Sequence, residues 1–183
     1  MKKLLTIASA LALGSIATQA FAYDGTITFN GTISNVTCTL AAGSGGTGAV
    51  TLPTVTQSAL KAAGDTAGAT QFSIKLSNCQ GTPAPTQAAA WFESGPEVNQ
   101  AGRLVATVAG NSTDTLSIAL YNINSPTPIA VGQGNGSIGS SGSPFAISNG
   151  SATLNYQAKY YAEKTGVPPG AVQAKVNYTI QYQ

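Results

Sequence analysis

Apolar and polar residues alternate with period two over much of this chain. Ala152, Leu154, Tyr156, Ala158 and Tyr160 are separated by Thr153, Asn155, Gln157 and Lys159. Val172, Ala174, Val176, Tyr178, Ile180 and Tyr182 are separated by Gln173, Lys175, Asn177, Thr179 and Gln181. Phe72, Ile74 and Leu76 flank Ser73 and Lys75, and Leu116, Ile118 and Leu120 form a shorter set. Near the start, Ile27, Phe29, Gly31 and Ile33 alternate with Thr28, Asn30 and Thr32. Side chains of a strand point to opposite faces in turn, so such runs predict strands with one buried and one wet face.

Turn formers separate the runs. Residues 42–48 are rich in Gly and Ser, 81–86 hold two prolines, and 110–114, 125–128 and 132–144 follow. Pro168-Pro169-Gly170 divides the last two strands. The stretch 132–144 reads as a surface loop within one domain. Only 58–63 (SALKAA) suggests a helical turn or two. Many short strands with frequent turns predict an all-β sandwich or barrel. The N-terminal and C-terminal strands lie at opposite ends of the chain. Either both are ordinary strands of a closed sandwich, or the ends are built to enter a sheet elsewhere.

The N-terminus changes the boundaries of this reading. Met1-Lys2-Lys3 precedes an apolar run over residues 4–17 and then Ala20-Phe21-Ala22. A charged start, a short apolar run and small residues two apart make a secretory signal with cleavage after Ala22. The run is shorter than the roughly 20 residues a bilayer-spanning helix needs. Residues 1–22 are therefore expected to be a signal peptide, with Tyr23 the first mature residue.

Charged residues make up only 8% of the chain, with 8 Lys+Arg, 6 Asp+Glu and no His. Two of the bases fall in the leader, which leaves the mature chain near neutrality. No nucleic-acid partner is expected, because there is no basic footprint. The lack of His excludes His-centred triads and His-ligated metals. No catalytic set, metal site or cofactor is expected. Glu93 and Glu97 flank Ser94-Gly95-Pro96, which denies them a shared helical face. Asp24, Asp65, Asp114 and Glu163 stand singly. The glycines after Gly132 lack the lysine of a phosphate loop. Trp91-Phe92 reads as core aromatics before it reads as a sugar platform.

Two cysteines remain, Cys38 and Cys79. In an exported protein an even pair most simply forms a disulfide. Closing a loop of about 40 residues contributes roughly 4 kcal/mol in the chain-entropy picture. The alternative, a redox or nucleophilic cysteine, lacks both a C-x-x-C spacing and a histidine to activate the thiol.

Several segments taken together resemble a known family. They are Gly25-Thr26-Ile27-Thr28-Phe29-Asn30-Gly31-Thr32-Ile33 ahead of Cys38, and Phe72-Ser73-Ile74-Lys75-Leu76-Ser77-Asn78 ahead of Cys79. Residues 157–162 (QAKYYA) and the ending 176–183 (VNYTIQYQ), with its penultimate tyrosine, complete the set. Their order and spacing resemble a chaperone–usher pilin, the major shaft subunit of type 1-like fimbriae. The resemblance implies an immunoglobulin-like β-sandwich lacking its last strand and completed by a donor strand from another subunit. It implies a donor-strand extension over residues 23–33, running into the first strand, and a pilin domain over 34–183. Tyr23, Gly25, Ile27 and Phe29 would form the inserting face of the donor strand. Val176, Tyr178, Ile180 and Tyr182 would border the acceptor groove and contact the chaperone, with Gln183 supplying the terminal carboxylate.

The function so implied is a structural subunit of an extracellular fimbria that supports adhesion. Its implied partners are identical or related pilin subunits, a periplasmic chaperone and an outer-membrane usher, with export through the periplasm to the cell surface. The alternatives are a minor fimbrial adaptor subunit and a secreted carbohydrate-binding adhesin module. A tip adhesin would need a second domain, for which the chain leaves no room.

Overall fold

A computed structural model describes residues 27–29, 31, 33–40, 48–134, 138–139 and 142–183. The expected leader, Tyr23, Gly25 and the middle of the 132–144 loop lie outside the described residues. Among the described residues nine strands form in chain order: β1 (Thr37–Leu40), β2 (Thr66–Gln80), β3 (Gln87–Phe92), β4 (Leu104–Val108), β5 (Asn111–Asn122), β6 (Phe145–Ala146), β7 (Ala152–Ala162), β8 (Val172–Gln173) and β9 (Tyr178–Tyr182). They build a six-stranded sheet in the order β1-β2-β7-β5-β4-β8 and a three-stranded sheet in the order β6-β3-β9. Every recorded pairing is antiparallel. The fold is an all-β sandwich with almost no helix. The expected helical turns reduce to one 3₁₀ turn, Gln57–Ala59.

β7 is the central strand that its alternation predicts. Ala152, Leu154, Tyr156 and Ala158 are buried, while Thr153 and Asn155 are exposed. It pairs with β2 from Leu76↔Ala152 to Thr66↔Tyr161 and with β5 from Asn122↔Tyr156 to Leu116↔Ala162. Its inward face carries Tyr156, which reaches the second sheet. The ring lies 5.1 Å from Phe92, 5.5 Å from Phe145 and 5.7 Å from Phe72. The Ala90 amide donates to its hydroxyl at 3.0 Å. Burial pushes the Tyr156 phenol up to about 12, because ionising it there would strand a charge. Replacing Tyr156 by Phe removes one buried bond and is expected to lower stability by about 1 kcal/mol. Urea denaturation at neutral pH checks this, and an unchanged midpoint would contradict it.

Three elements differ from the sequence expectation. The alternation from Val172 to Tyr182 is not one strand. β8 pairs with β4 in the large sheet, and β9 pairs with β3 in the small one. The stretch 174–177 crosses between sheets without a ladder, yet its alternation continues because it runs beside the same apolar interior. The 110–114 turn shrinks to Ala109-Gly110, whose φ values of 48° and 81° close a two-residue hairpin. Asn111 onward belongs to β5. The first strand starts only at Thr37, and residues 27–29, 31 and 33–36 belong to no ladder.

Residues 34–183 form one compact unit. Cys38 of β1 and Cys79 of β2 are joined by a disulfide. Thiol titration of the unreduced, exported protein is expected to find no free thiol, and two reactive thiols would contradict the bridge.

Candidate functional site: an open apolar cleft

The large sheet turns Ile74, Leu104, Ile118, Leu120 and Ala158 inward, and on one side of the sandwich these residues are not fully roofed. An apolar cleft of about 1610 Å³ opens there, floored by those residues together with Phe72 and Phe92. Residues 48–57 line part of it, and 167–178 with Ile180 line another part. The cleft spans both buried clusters. One centres on Leu154 and Tyr156; the other joins Leu60, Ala106, Val108, Leu116, Ala162 and Val167.

Of the residues expected to border a groove, Val176, Tyr178 and Ile180 are among those lining the cleft, and Tyr182 is not. Val176, Tyr178, Ile180 and Tyr182 are half-buried and pack against the core; Lys175 before them and Asn177 and Thr179 between them are exposed, whereas Gln181 is half-buried. Burial pushes the Tyr178 and Tyr182 phenols up. β9 is held by β3 from Phe92↔Tyr178 to Ala88↔Tyr182. It is the terminal strand of its sheet among the described residues. Gln183 follows β9, and its main-chain oxygen accepts from the Thr86 and Gln87 amides at 2.6 and 2.9 Å and from the Thr86 hydroxyl at 3.0 Å.

Of the expected inserting residues, Ile27 and Phe29 are described, and they are 79% and 89% exposed. Exposing such side chains forgoes roughly 1.5–3 kcal/mol each. Trp91 is no open platform: it is half-buried, and its indole N–H donates to Glu93 Oε2 at 3.0 Å. Phe92 is core. Glu93 and Glu97 turn to separate partners, Thr179 Oγ1 and Lys175 Nζ respectively. Tyr161 lies under the Arg103 guanidinium, 4.0 Å from the ring centre.

Sequence reasoning missed one cluster. Glu163, which stands alone in the sequence, accepts four hydrogen bonds. They come from Arg103 Nε at 2.7 Å and Nη2 at 2.6 Å, Ser117 Oγ at 2.6 Å and Asn99 Nδ2 at 2.8 Å. Nothing local announces it, because its partners lie 46 to 64 residues away. The Arg103 hydrogen bond above all, then those from Ser117 and Asn99, holds the Glu163 carboxyl below its ordinary range against the opposing effect of burial. A carboxyl depressed in the fold adds stability above its unfolded pKa of about 4.3 and loses that contribution as pH falls through the lower folded value. Replacing Glu163 by Gln is therefore expected to lower stability at pH 7 by about 2 kcal/mol and to flatten the acid limb. Denaturant midpoints from pH 7 to pH 2 read this. An acid limb as steep as wild type would refute it.

An antiparallel sandwich opened by a long apolar cleft, with its last strand on the border, defines the pilin class: an incomplete immunoglobulin-like β-sandwich. Solved structures agree on the fold. The P pilus rod subunit PapA superposes with a TM-score of 0.59 at 22% identity, over 80% of this chain and 99% of that one. A chaperone–usher pilus structure does so with 0.58 at 24% identity, over 88% and 96%. The family described as "FimA: Type-1 fimbrial protein, A" matches residues 52–183. "Major fimbrial subunit SMF-1" of Stenotrophomonas maltophilia is 38% identical over 93% of this chain and 99% of its own length. "Fimbrial subunit type 1" of Klebsiella pneumoniae is 31% identical over 98% and 96%. The chain belongs to the type-1 fimbrial protein A family, and it is a structural fimbrial subunit. Among the described residues no helix is long and apolar enough to cross a membrane.

Proposed function

We propose that this protein is exported through the periplasm and polymerises at the cell surface by donor-strand exchange. In this reading residues 23–33 of one subunit fill the apolar cleft of the next. The cleft carries the proposal: it is too large and too apolar to stay wet without cost, and β9 stands at its border. An added strand would extend the small sheet with main-chain bonds, and alternate side chains would set its register. Tyr23, Gly25, Ile27 and Phe29 would face the cleft floor. Ile27 and Phe29 alone would recover about 3–6 kcal/mol on burial. Before assembly, a periplasmic chaperone would cover the same border at Val176, Tyr178, Ile180 and Tyr182 with Gln183, because an open apolar edge aggregates. An outer-membrane usher would then pass the subunit outward. Identical or related pilins are the partners along the filament, which supports adhesion.

Electron microscopy of cells with and without the gene tests the structural role. Loss of the surface filaments is expected, and filaments unchanged in number and shape would overturn it.

A further inference from the structure

The loop between β3 and β4 carries polar chemistry that strand exchange does not use. Asn99 is its hub. Its side-chain oxygen accepts from the amides of Ala101 and Arg103, both at 3.0 Å. Its own amide donates to the Arg103 carbonyl at 2.8 Å, and its side-chain nitrogen reaches Glu163. Arg103 and Glu163 are 16% and 18% exposed. The base of the loop is seated against residues 130–132. A Cβ at Gly102, where φ is +72°, would meet Ala130 Cα at 2.8 Å, and one at Gly132 would meet Ser94 Cα at 2.6 Å.

The other end of the loop reaches the cleft. Pro96 and Glu97 line it. Glu97 Oε1 pairs with Lys175 Nζ at 3.2 Å, and the Glu93 amide donates to the Asn177 carbonyl at 2.9 Å. Lys175 and Asn177 belong to 174–177, a part of the cleft border that sits in no ladder. A ladderless stretch takes its position from its tethers. The Glu97–Lys175 tether is a surface ion pair, with Lys175 81% exposed, and such a pair is weak alone. It fixes position only as firmly as the loop it hangs from. Asn99 and Arg103 anchor that loop to the Glu163 carboxylate beyond β7, which takes four donors, and such charge-assisted bonds reinforce one another.

We propose that Asn99, Arg103 and Glu163 form a brace that acts through the 93–103 loop to position the 174–177 stretch of the cleft border for an incoming strand. They are positioning residues and touch no donor. The purpose of the brace rests on the strand-exchange reading, whereas its geometry does not.

Amide hydrogen exchange on filaments of the full chain, read by mass spectrometry, tests the brace through a double-mutant cycle of Glu163→Gln and Lys175→Gln. Each change alone is expected to speed exchange at residues 174–177 about threefold, leaving the β7 amides Leu154–Ala158 within error of wild type. Because Glu163 reaches Lys175 through Glu97, Glu163→Gln is expected to add a smaller factor in the Lys175→Gln background than in wild type, the remainder passing through the Glu93–Asn177 bond. A purely local role for Glu163 would leave 174–177 unchanged. A purely global one would speed β7 equally, or give the same factor in both backgrounds. Any of these results overturns the brace. Should Glu163→Gln fail to accumulate, Arg103→Lys, which keeps the charge but loses the two-pronged contact, is read in the same way. Failure of strand exchange is separate: subunits lacking the N-terminal segment would still assemble, whatever happens at 174–177.

Discussion

Subunits lacking residues 23–29 are expected to fold and accumulate, yet to form no ladder of polymers on an unheated SDS gel of surface extract. The sandwich body, 34–183, keeps its disulfide, its two sheets and β9 without them. What is lost is the segment carrying Ile27 and Phe29, apolar side chains left 79% and 89% exposed. A solvated terminus gains nothing from such residues. Inserted into a neighbour, they bury their area and add a ladder of main-chain bonds. Dissociation then requires breaking that ladder at once, so polymers persist in detergent at room temperature. Replacing Gly25 by Trp is expected to act like the deletion, because a bulky side chain on the inserting face would hold the strand off the cleft floor. If the truncated protein still forms the wild-type ladder, the segment is a strand of its own domain.

The second large effect is expected from Ile180→Asp. Ile180 packs against the main core and pairs with Ala90 across the β3–β9 ladder. A carboxylate there meets an apolar lining, and the lysine that also lines the cleft, Lys175, is already paired with Glu97. The change is expected to lower stability by about 3 kcal/mol or more. Periplasmic levels of the subunit are expected to fall several-fold, measured by immunoblot against Thr179→Lys as the outward-facing charged control, whose ammonium would meet Glu93 rather than oppose it. Thr179 is exposed and next in sequence, so a strand oriented the opposite way would reverse the ranking of the two variants.

Much of this was legible in the sequence, and the remainder has physical reasons. β7 could be read because it is central and its alternate side chains differ sharply in polarity. β3 is invisible in the sequence because all its buried residues but Phe92 are a run of alanines, Ala88, Ala89 and Ala90, which carry no period. Small side chains suit it, since the Tyr156 hydroxyl has to reach the Ala90 amide from the other sheet. β4 was overlooked as a short segment, although Leu104, Ala106 and Val108 alternate inward. The run from Val172 to Tyr182 misled because period two reports which side of the chain meets the interior, not which sheet holds it. Of that run, Val176, Tyr178 and Ile180 line the cleft, and Tyr182 packs against the core. Glu163 and its donors are beyond reach, because a cluster assembled from the loop before β4, from β5 and from the residue after β7 leaves no local pattern.

The most direct test of strand exchange places a benzophenone amino acid at Phe29 in the full-length subunit, assembles filaments from a mixture of light and isotopically heavy subunits, and irradiates them. With light and heavy subunits mixed equally, strand exchange predicts cross-links from position 29 to cleft residues such as Phe72, Ile118 or Val176, with about half of the linked peptide pairs mixing light and heavy chains. Cross-links confined to peptides of one isotope, or landing outside the cleft, would contradict it.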